Sequence, residues 1–182
     1  MITLNLVTSN KNKVREFQQI LGDSVKLNHI FVEYPEMRSD DPEEIARLAA
    51  KQLADKLKMK VIVEDSGMFI KALNGFPGTC SAYAHKRIGL KGIIRLMKGV
   101  RDREARYMSA VGYCEPGKKS VSFLGVEKGK IALKIMGKNG FGHDPIFIPE
   151  DSQRTYGEME NSEEKKQFRR RAVLKLLDYL KK

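Results

Sequence analysis

Val61-Ile62-Val63-Glu64-Asp65-Ser66-Gly67 sets three β-branched apolar residues directly before two carboxylates, a hydroxyl and a glycine. A run of this kind predicts a strand buried on both faces, as in the parallel part of an α/β sheet. The strand is expected to end at the carboxylates, placing Glu64, Asp65 and Ser66 at its C-terminal edge, where open α/β sheets bind their ligands. Adjacent carboxylates repel, so the pair calls for a cation, a proton or strong donors nearby. An acidic turn with a helix-capping serine accounts for the same residues, and the rest of the chain decides between the two.

On the N-terminal side, Ile2 to Val7 predicts a short strand, and Val14, Phe17, Ile20 and Leu21 repeat at helical spacing until Gly22. Between them lies Thr8-Ser9-Asn10-Lys11-Asn12-Lys13. These side chains either cap the helix or leave backbone N–H groups for an anion at its N-terminus, with Lys11 and Lys13 adding positive charge. The segment is not a glycine-rich Walker loop. Val25 to Tyr34 predicts a second strand, followed by an acidic connection from Glu36 to Asp41. Asp41-Pro42-Glu43-Glu44 is a helix start, with Asp41 at the N-cap and Pro42 at the first helical position. Ile45, Leu48, Ala49, Leu53 and Leu57 carry that helix to about Lys58. Glu36 precedes it, either as a solvated loop carboxylate or as a metal ligand beside Asp65.

On the C-terminal side, Leu73-Asn74-Gly75-Phe76-Pro77-Gly78 is a turn-rich loop, and residues 79–98 carry helical signals. Three β-like stretches follow, Ala105–Cys114, Val121–Val126 and Lys130–Ile135, with turns at Glu115-Pro116-Gly117 and Glu127-Lys128-Gly129. Gly140-Phe141-Gly142-His143-Asp144-Pro145 then offers an aromatic ring held between glycines, an imidazole and a carboxylate. Phe141 either stacks on a base or plugs the core beneath the turn. A last helix is expected from Asn161-Ser162 to Leu180, with Phe168, Ala172, Leu176, Leu177 and Leu180 as its docking stripe. Residues 162–182 hold eight basic against three acidic residues.

The totals narrow the class. A chain of 182 residues builds one domain or two joined lobes, and 41% hydrophobic with 31% charged residues is an ordinary soluble composition. No apolar run approaches the ~20 residues of a membrane span, and Met1 leads into a strand pattern rather than a signal peptide. Cys80 and Cys114 match no metal-ligand spacing, so both thiols are expected reduced in the cytoplasm. A net charge of +11 predicts polyanion partners, nucleotide or nucleic acid.

Taken in order, these motifs resemble the inosine triphosphate pyrophosphatase family, and the likeness spans nearly the whole chain. Thr8 to Lys13 with Glu16 is similar to its phosphate motif, and Glu64-Asp65-Ser66-Gly67 to its acidic motif. Gly75-Phe76-Pro77-Gly78, Phe141-Gly142-His143-Asp144-Pro145 and Glu163-Glu164-Lys165 resemble the following loop, the base loop and the start of the final helix. The resemblance implies an α/β fold over residues 1–182, with an elongated mixed β-sheet flanked by helices and two lobes about a central nucleotide-binding cleft. It implies a homodimer that hydrolyses non-standard purine nucleoside triphosphates to the monophosphate and pyrophosphate.

The resemblance also implies roles. Asp65 binds Mg²⁺ and activates water, and Glu36 is the second metal ligand. Thr8, Ser9, Asn10, Lys11, Asn12 and Lys13 hold phosphates, with Asn10 and Lys13 foremost, and Ser66 contacts the nucleotide. Phe141, Gly142, His143 and Asp144 surround the purine, while Lys165, Arg170 and Arg171 reach the base. The sequence departs from the pattern at His143, where the family commonly has Trp or Tyr. It departs again at Arg169-Arg170-Arg171, which stands for Ser-His-Arg when counted from Lys165. A substrate-contacting residue of the second helix has no clear match beyond Lys51. The competing classes are a Maf-like nucleotide pyrophosphatase and a basic nucleic-acid-binding module, for which the sequence holds no recognised motif.

Overall fold

The computed structural model describes residues 2–35 and 37–182. Met1 and Glu36, the latter expected as a metal ligand, lie outside the described residues. Seven strands form one mixed sheet: β1 (Ile2–Val7), β2 (Val25–Ile30), β3 (Val61–Ile70), β4 (Pro77–Gly78), β5 (Glu104–Cys114), β6 (Val121–Ile131) and β7 (Phe147–Pro149). The strand order is β2-β1-β3-β5-β6-β7, with β4 on β3. The helices are α1 (Lys11–Leu21), α2 (Pro42–Leu57), α3 (Ser81–Leu96), α4 (Ser162–Lys165) and α5 (Gln167–Leu180).

The chain divides into two compact units, and β3, β5 and β6 each contribute to both. One comprises residues 1–65, 109–125 and 169–182, the other 66–108 and 126–168. In the first unit β1 pairs in parallel with β2 and with β3. Side-chain alternation along a strand then sorts its core into two layers. Val61 and Val63 face α2, packing with Ala49, Ala50, Leu53 and Cys114. Ile62 faces the other way and joins Leu6, Val111 and Tyr113 against Phe17 of α1 and Ala172, Val173 and Leu176 of α5. The second unit has its own core, in which Met68, Ile70, Ile93, Tyr107, Ile131, Phe147 and Phe168 pack together.

The sequence expectations hold for β1, α1 and α2. Asp41 caps α2 by accepting from Glu43 N at 2.8 Å, and Pro42 is its first residue. They fail where pairing overrides a turn signal. The strand expected to end at Glu64 continues to Ile70, because it leaves the parallel partner β1 and takes up antiparallel β4 through Met68↔Gly78 and Phe69↔Pro77. Gly67 permits that exchange, since a Cβ there would lie 2.0 Å from the Gly78 carbonyl oxygen. Glu127-Lys128-Gly129 is likewise no turn but the middle of β6, where Gly129 lets β7 approach: a Cβ would meet Ile148 O at 2.3 Å. The third stretch therefore ends at Ile131 rather than Ile135. Strand β2 stops at Ile30 rather than Tyr34, because Ile30 is paired with Val7, the last residue of β1. Helix α3 is kinked at Gly89, and the final helix is broken at Lys166, whose backbone is extended (φ −62°, ψ 123°).

Candidate active site

In the first unit the phosphate-motif candidates follow β1 directly. Thr8 is buried, and its hydroxyl accepts from Asn10 N at 3.1 Å. Asn10 is the N-cap of α1, its Oδ1 accepting from Asn12 N at 2.9 Å and Lys13 N at 3.4 Å. Ser9 and Lys11 are exposed, and Asn12 is half-buried. The helix start is therefore both capped and lysine-bearing.

Lys13 reaches back to the acidic strand. Its Nζ donates to the main-chain oxygen of Glu64 at 2.7 Å and stands 2.8 Å from Glu64 Oε2. By the alternation that points Ile62 toward α1 and α5, Glu64 projects between those helices, and Asp65 projects to the opposite face. Glu64 is buried, and its Oε1 accepts from Ser109 Oγ at 2.6 Å, Arg169 Nε at 3.1 Å and Arg169 Nη2 at 3.0 Å. The other arm of Arg169 pairs with Glu16 of α1. Burial pushes the Arg169 guanidinium down to about 9, which leaves it charged at neutral pH. Asp65 is half-buried.

In the second unit Ser66 is half-buried, and the base-loop candidates form a tight turn around Asp144. Asp144 Oδ2 accepts from Phe141 N at 2.7 Å and pairs with Lys166 Nζ at 2.7 Å, while Tyr107 OH donates to Oδ1 at 3.4 Å. Gly140 is required here, since a Cβ would fall 2.1 Å from Asp144 Oδ2. Burial raises the Asp144 carboxyl above its ordinary value, against the opposing pull of the Lys166 ammonium. Phe141 is half-buried, and that ammonium lies 4.2 Å from its ring centroid. Gly142 adopts a positive φ of 61°, and His143 is 3% exposed. The His143 ring meets His85 edge-on with centroids 5.2 Å apart, and burial, then His85, pushes its pKa down to about 4.

The structure thus brings Lys13 to the acidic motif and draws Phe141 and Asp144 together. Lys165 and Arg171 are exposed and Arg170 is half-buried. The buried cations are their neighbours Lys166 and Arg169, which were missed. Arg169 was findable: it stands three, four and seven residues before Ala172, Val173 and Leu176, on the docking face of α5. Lys166 and Ser109 carried no such signal.

The fold places the chain in a structural class first. It superposes on the solved Staphylococcus aureus Ham1 protein with a TM-score of 0.85 at 28% identity, covering 98% of each chain. A HAM1 protein from Coxiella burnetii gives a TM-score of 0.84 at 27% identity over 99% of this chain and 98% of that one. The chain belongs to the Ham1 family, whose model matches residues 4–179. Among its relatives, the dITP/XTP pyrophosphatase of Methanopyrus kandleri is 48% identical over 84% of this chain and 81% of its own. That of Saccharolobus solfataricus is 41% identical over 98% and 94%.

Proposed function

We propose that this chain hydrolyses non-standard purine nucleoside triphosphates, dITP, ITP and XTP, to the monophosphate and pyrophosphate. The observation that carries the reading is the contact of Lys13 with Glu64, directly before Asp65, in a chain whose family relatives are named for this activity.

Lys13 supplies a fixed positive charge for the departing pyrophosphate. Asn10 uses its amide oxygen in the cap, which leaves its amide N–H for a phosphate oxygen, with Thr8, Ser9, Lys11 and Asn12 around it. Asp65 accepts the proton of the attacking water, and Ser66 contacts the nucleotide. No covalent intermediate is required; positioning and charge neutralisation supply the rate. The oxygen-only chemistry of the candidates Asp65 and Glu36 suits a hard divalent cation, Mg²⁺, although among the described residues no three His, Cys, Asp or Glu side chains gather to hold one. One or two carboxylates suffice when the rest of the shell is water and substrate phosphate. Bound there, the ion would neutralise charge on the triphosphate.

The base falls to the second cluster. With one face of Phe141 covered by Lys166, the purine stacks on the other. Lysine and arginine donate hydrogen bonds and cannot accept them, so the basic candidates Lys165, Arg170 and Arg171 favour a six-oxo purine over the amino group of adenine. The family resemblance implies a cytoplasmic homodimer as the working form; among the described residues no helix is long and apolar enough to cross a membrane, and Cys80 and Cys114 are free.

Pyrophosphate release across a nucleotide panel tests the proposal. The six-oxo substrates should exceed ATP by at least ~100-fold in kcat/KM. Exhaustive chelation should abolish turnover and Mg²⁺ restore it. Folded Asp65→Asn should lose at least ~100-fold in kcat. A nucleoside diphosphate as the main product, or equal rates on ATP and dITP, would refute the reading.

A further inference from the structure

Arg169 is 2% exposed, and its guanidinium is held by two carboxylates, Glu64 and Glu16. Its side chain has no surface from which to reach a substrate. Its partners are telling instead: Glu16 stands three residues beyond Lys13 on α1, one turn along the same helix, and Glu64 is what Lys13 itself grips. Both arms of Arg169 therefore lead back to Lys13. We infer that Arg169 is a positioning residue, which through Glu64 fixes the direction in which the Lys13 ammonium presents its remaining donor capacity to the phosphates of the substrate.

The physical need is plain. A lysine ammonium is a point charge on a flexible four-carbon stem, and left alone it samples many rotamers. Here the main-chain oxygen and the Oε2 of Glu64 hold it at 2.7 and 2.8 Å, while 18% of its side-chain surface remains exposed. An ammonium has three donors, and the hydrogen bond to the main-chain oxygen uses one of them, so donor capacity remains for a phosphate. Its direction is only as sharp as the Glu64 carboxylate is still. Three donors on Oε1, one from Ser109 and two from Arg169, lock that carboxylate in place. The charges alternate along the row Lys13, Glu64, Arg169, Glu16 and cancel, so the row is adapted to aim a donor rather than to concentrate charge. The link joins residues 105 positions apart in sequence.

The inference rests on Lys13 being a phosphate ligand, and inhibition by the two products separates it from that premise. Pyrophosphate reports the Lys13 end of the site and the purine nucleoside monophosphate the base end. Lys13→Ala should weaken pyrophosphate inhibition by about 30-fold, Arg169→Lys by about 10-fold and Ser109→Ala by about 3-fold, fractions of a charge-assisted bond. Inhibition by the monophosphate should stay within about twofold in all three. Adding Arg169→Lys to Lys13→Ala should bring little further loss, since the two act through one contact. Folded Arg169→Lys that weakens both products equally, or neither, overturns the relay. If Arg169→Lys fails to fold, Ser109→Ala decides by the same comparison. Unchanged pyrophosphate inhibition in Lys13→Ala would instead remove the premise that Lys13 holds phosphate.

Discussion

His143 fills a position where the resembling family commonly carries Trp or Tyr, and it does so as a buried, neutral imidazole. Among the described residues its Nε2 has no hydrogen-bond partner. Its pKa of about 4 lies below the ordinary 6.5, so folding opposes protonation. Above pH 6.5 both folded and unfolded chains hold the ring neutral, and its contribution is complete. As the pH falls from 6.5 toward 4, only the unfolded chain takes up the proton, and up to about 3 kcal/mol of stability is lost. Asp144, whose pKa is raised, has the opposite sign and offsets part of the loss. Urea unfolding at pH 7.5 and 4.5 should show the fall, and His143→Phe should flatten it. An unchanged slope in that variant would place the acid sensitivity elsewhere. At this scale the motifs were legible because their residue types are unusual together. The partners were not: which of Lys165 and Lys166 turns inward depends on a single break in a helix, and Ser109 gives no sign of the carboxylate it serves.

At the scale of elements, the break at Lys166 has a cause outside the helix. Glu127, buried in β6, accepts from Gln167 N at 3.0 Å and Phe168 N at 3.3 Å, so a distant strand caps the restarting α5. Its other oxygen takes the Tyr156 hydroxyl, whose pKa is thereby raised, burial being the larger cause. Helix α4 can then end early and release Lys166 to Asp144. Glu127→Ala would strand a buried hydroxyl and two helix N–H groups and should cost about 3 kcal/mol, whereas Glu127→Gln keeps an acceptor and should cost about 1. Urea denaturation measures both; equal, small costs would mean that α5 is not capped from β6. Helices with their own caps, such as α2, were readable from local sequence. Strand β6 was misread because Glu127-Lys128-Gly129 looks like a turn until β7 is known to need the glycine.

For the molecule as a whole, the +11 charge invites a nucleic-acid role that the fold does not require. DNA or RNA should bind weakly and without sequence preference, and anisotropy titrations should show the affinity collapsing between about 50 and 200 mM salt. Tight, selective binding at the higher salt would contradict this. The α/β class was legible from alternating strands and helices. The interleaving was not, because nothing local announces that the chain passes between its two units four times.

That interleaving has a consequence for biosynthesis. The first unit is started by the earliest residues but needs Arg169, Ala172, Val173 and Leu176 from α5 to close its core. Glu64 leaves the ribosome 105 residues ahead of the arginine with which it will pair. At about 5–20 residues per second the wait is roughly 5–20 s. Through that interval the nascent sheet holds an apolar face without α5, and Glu64 and Glu16 wait for the arginine they share, with Lys13 already beside Glu64. A growing chain in that state is a natural client for a chaperone, and one stalled short of residue 169 is a natural target for a protease.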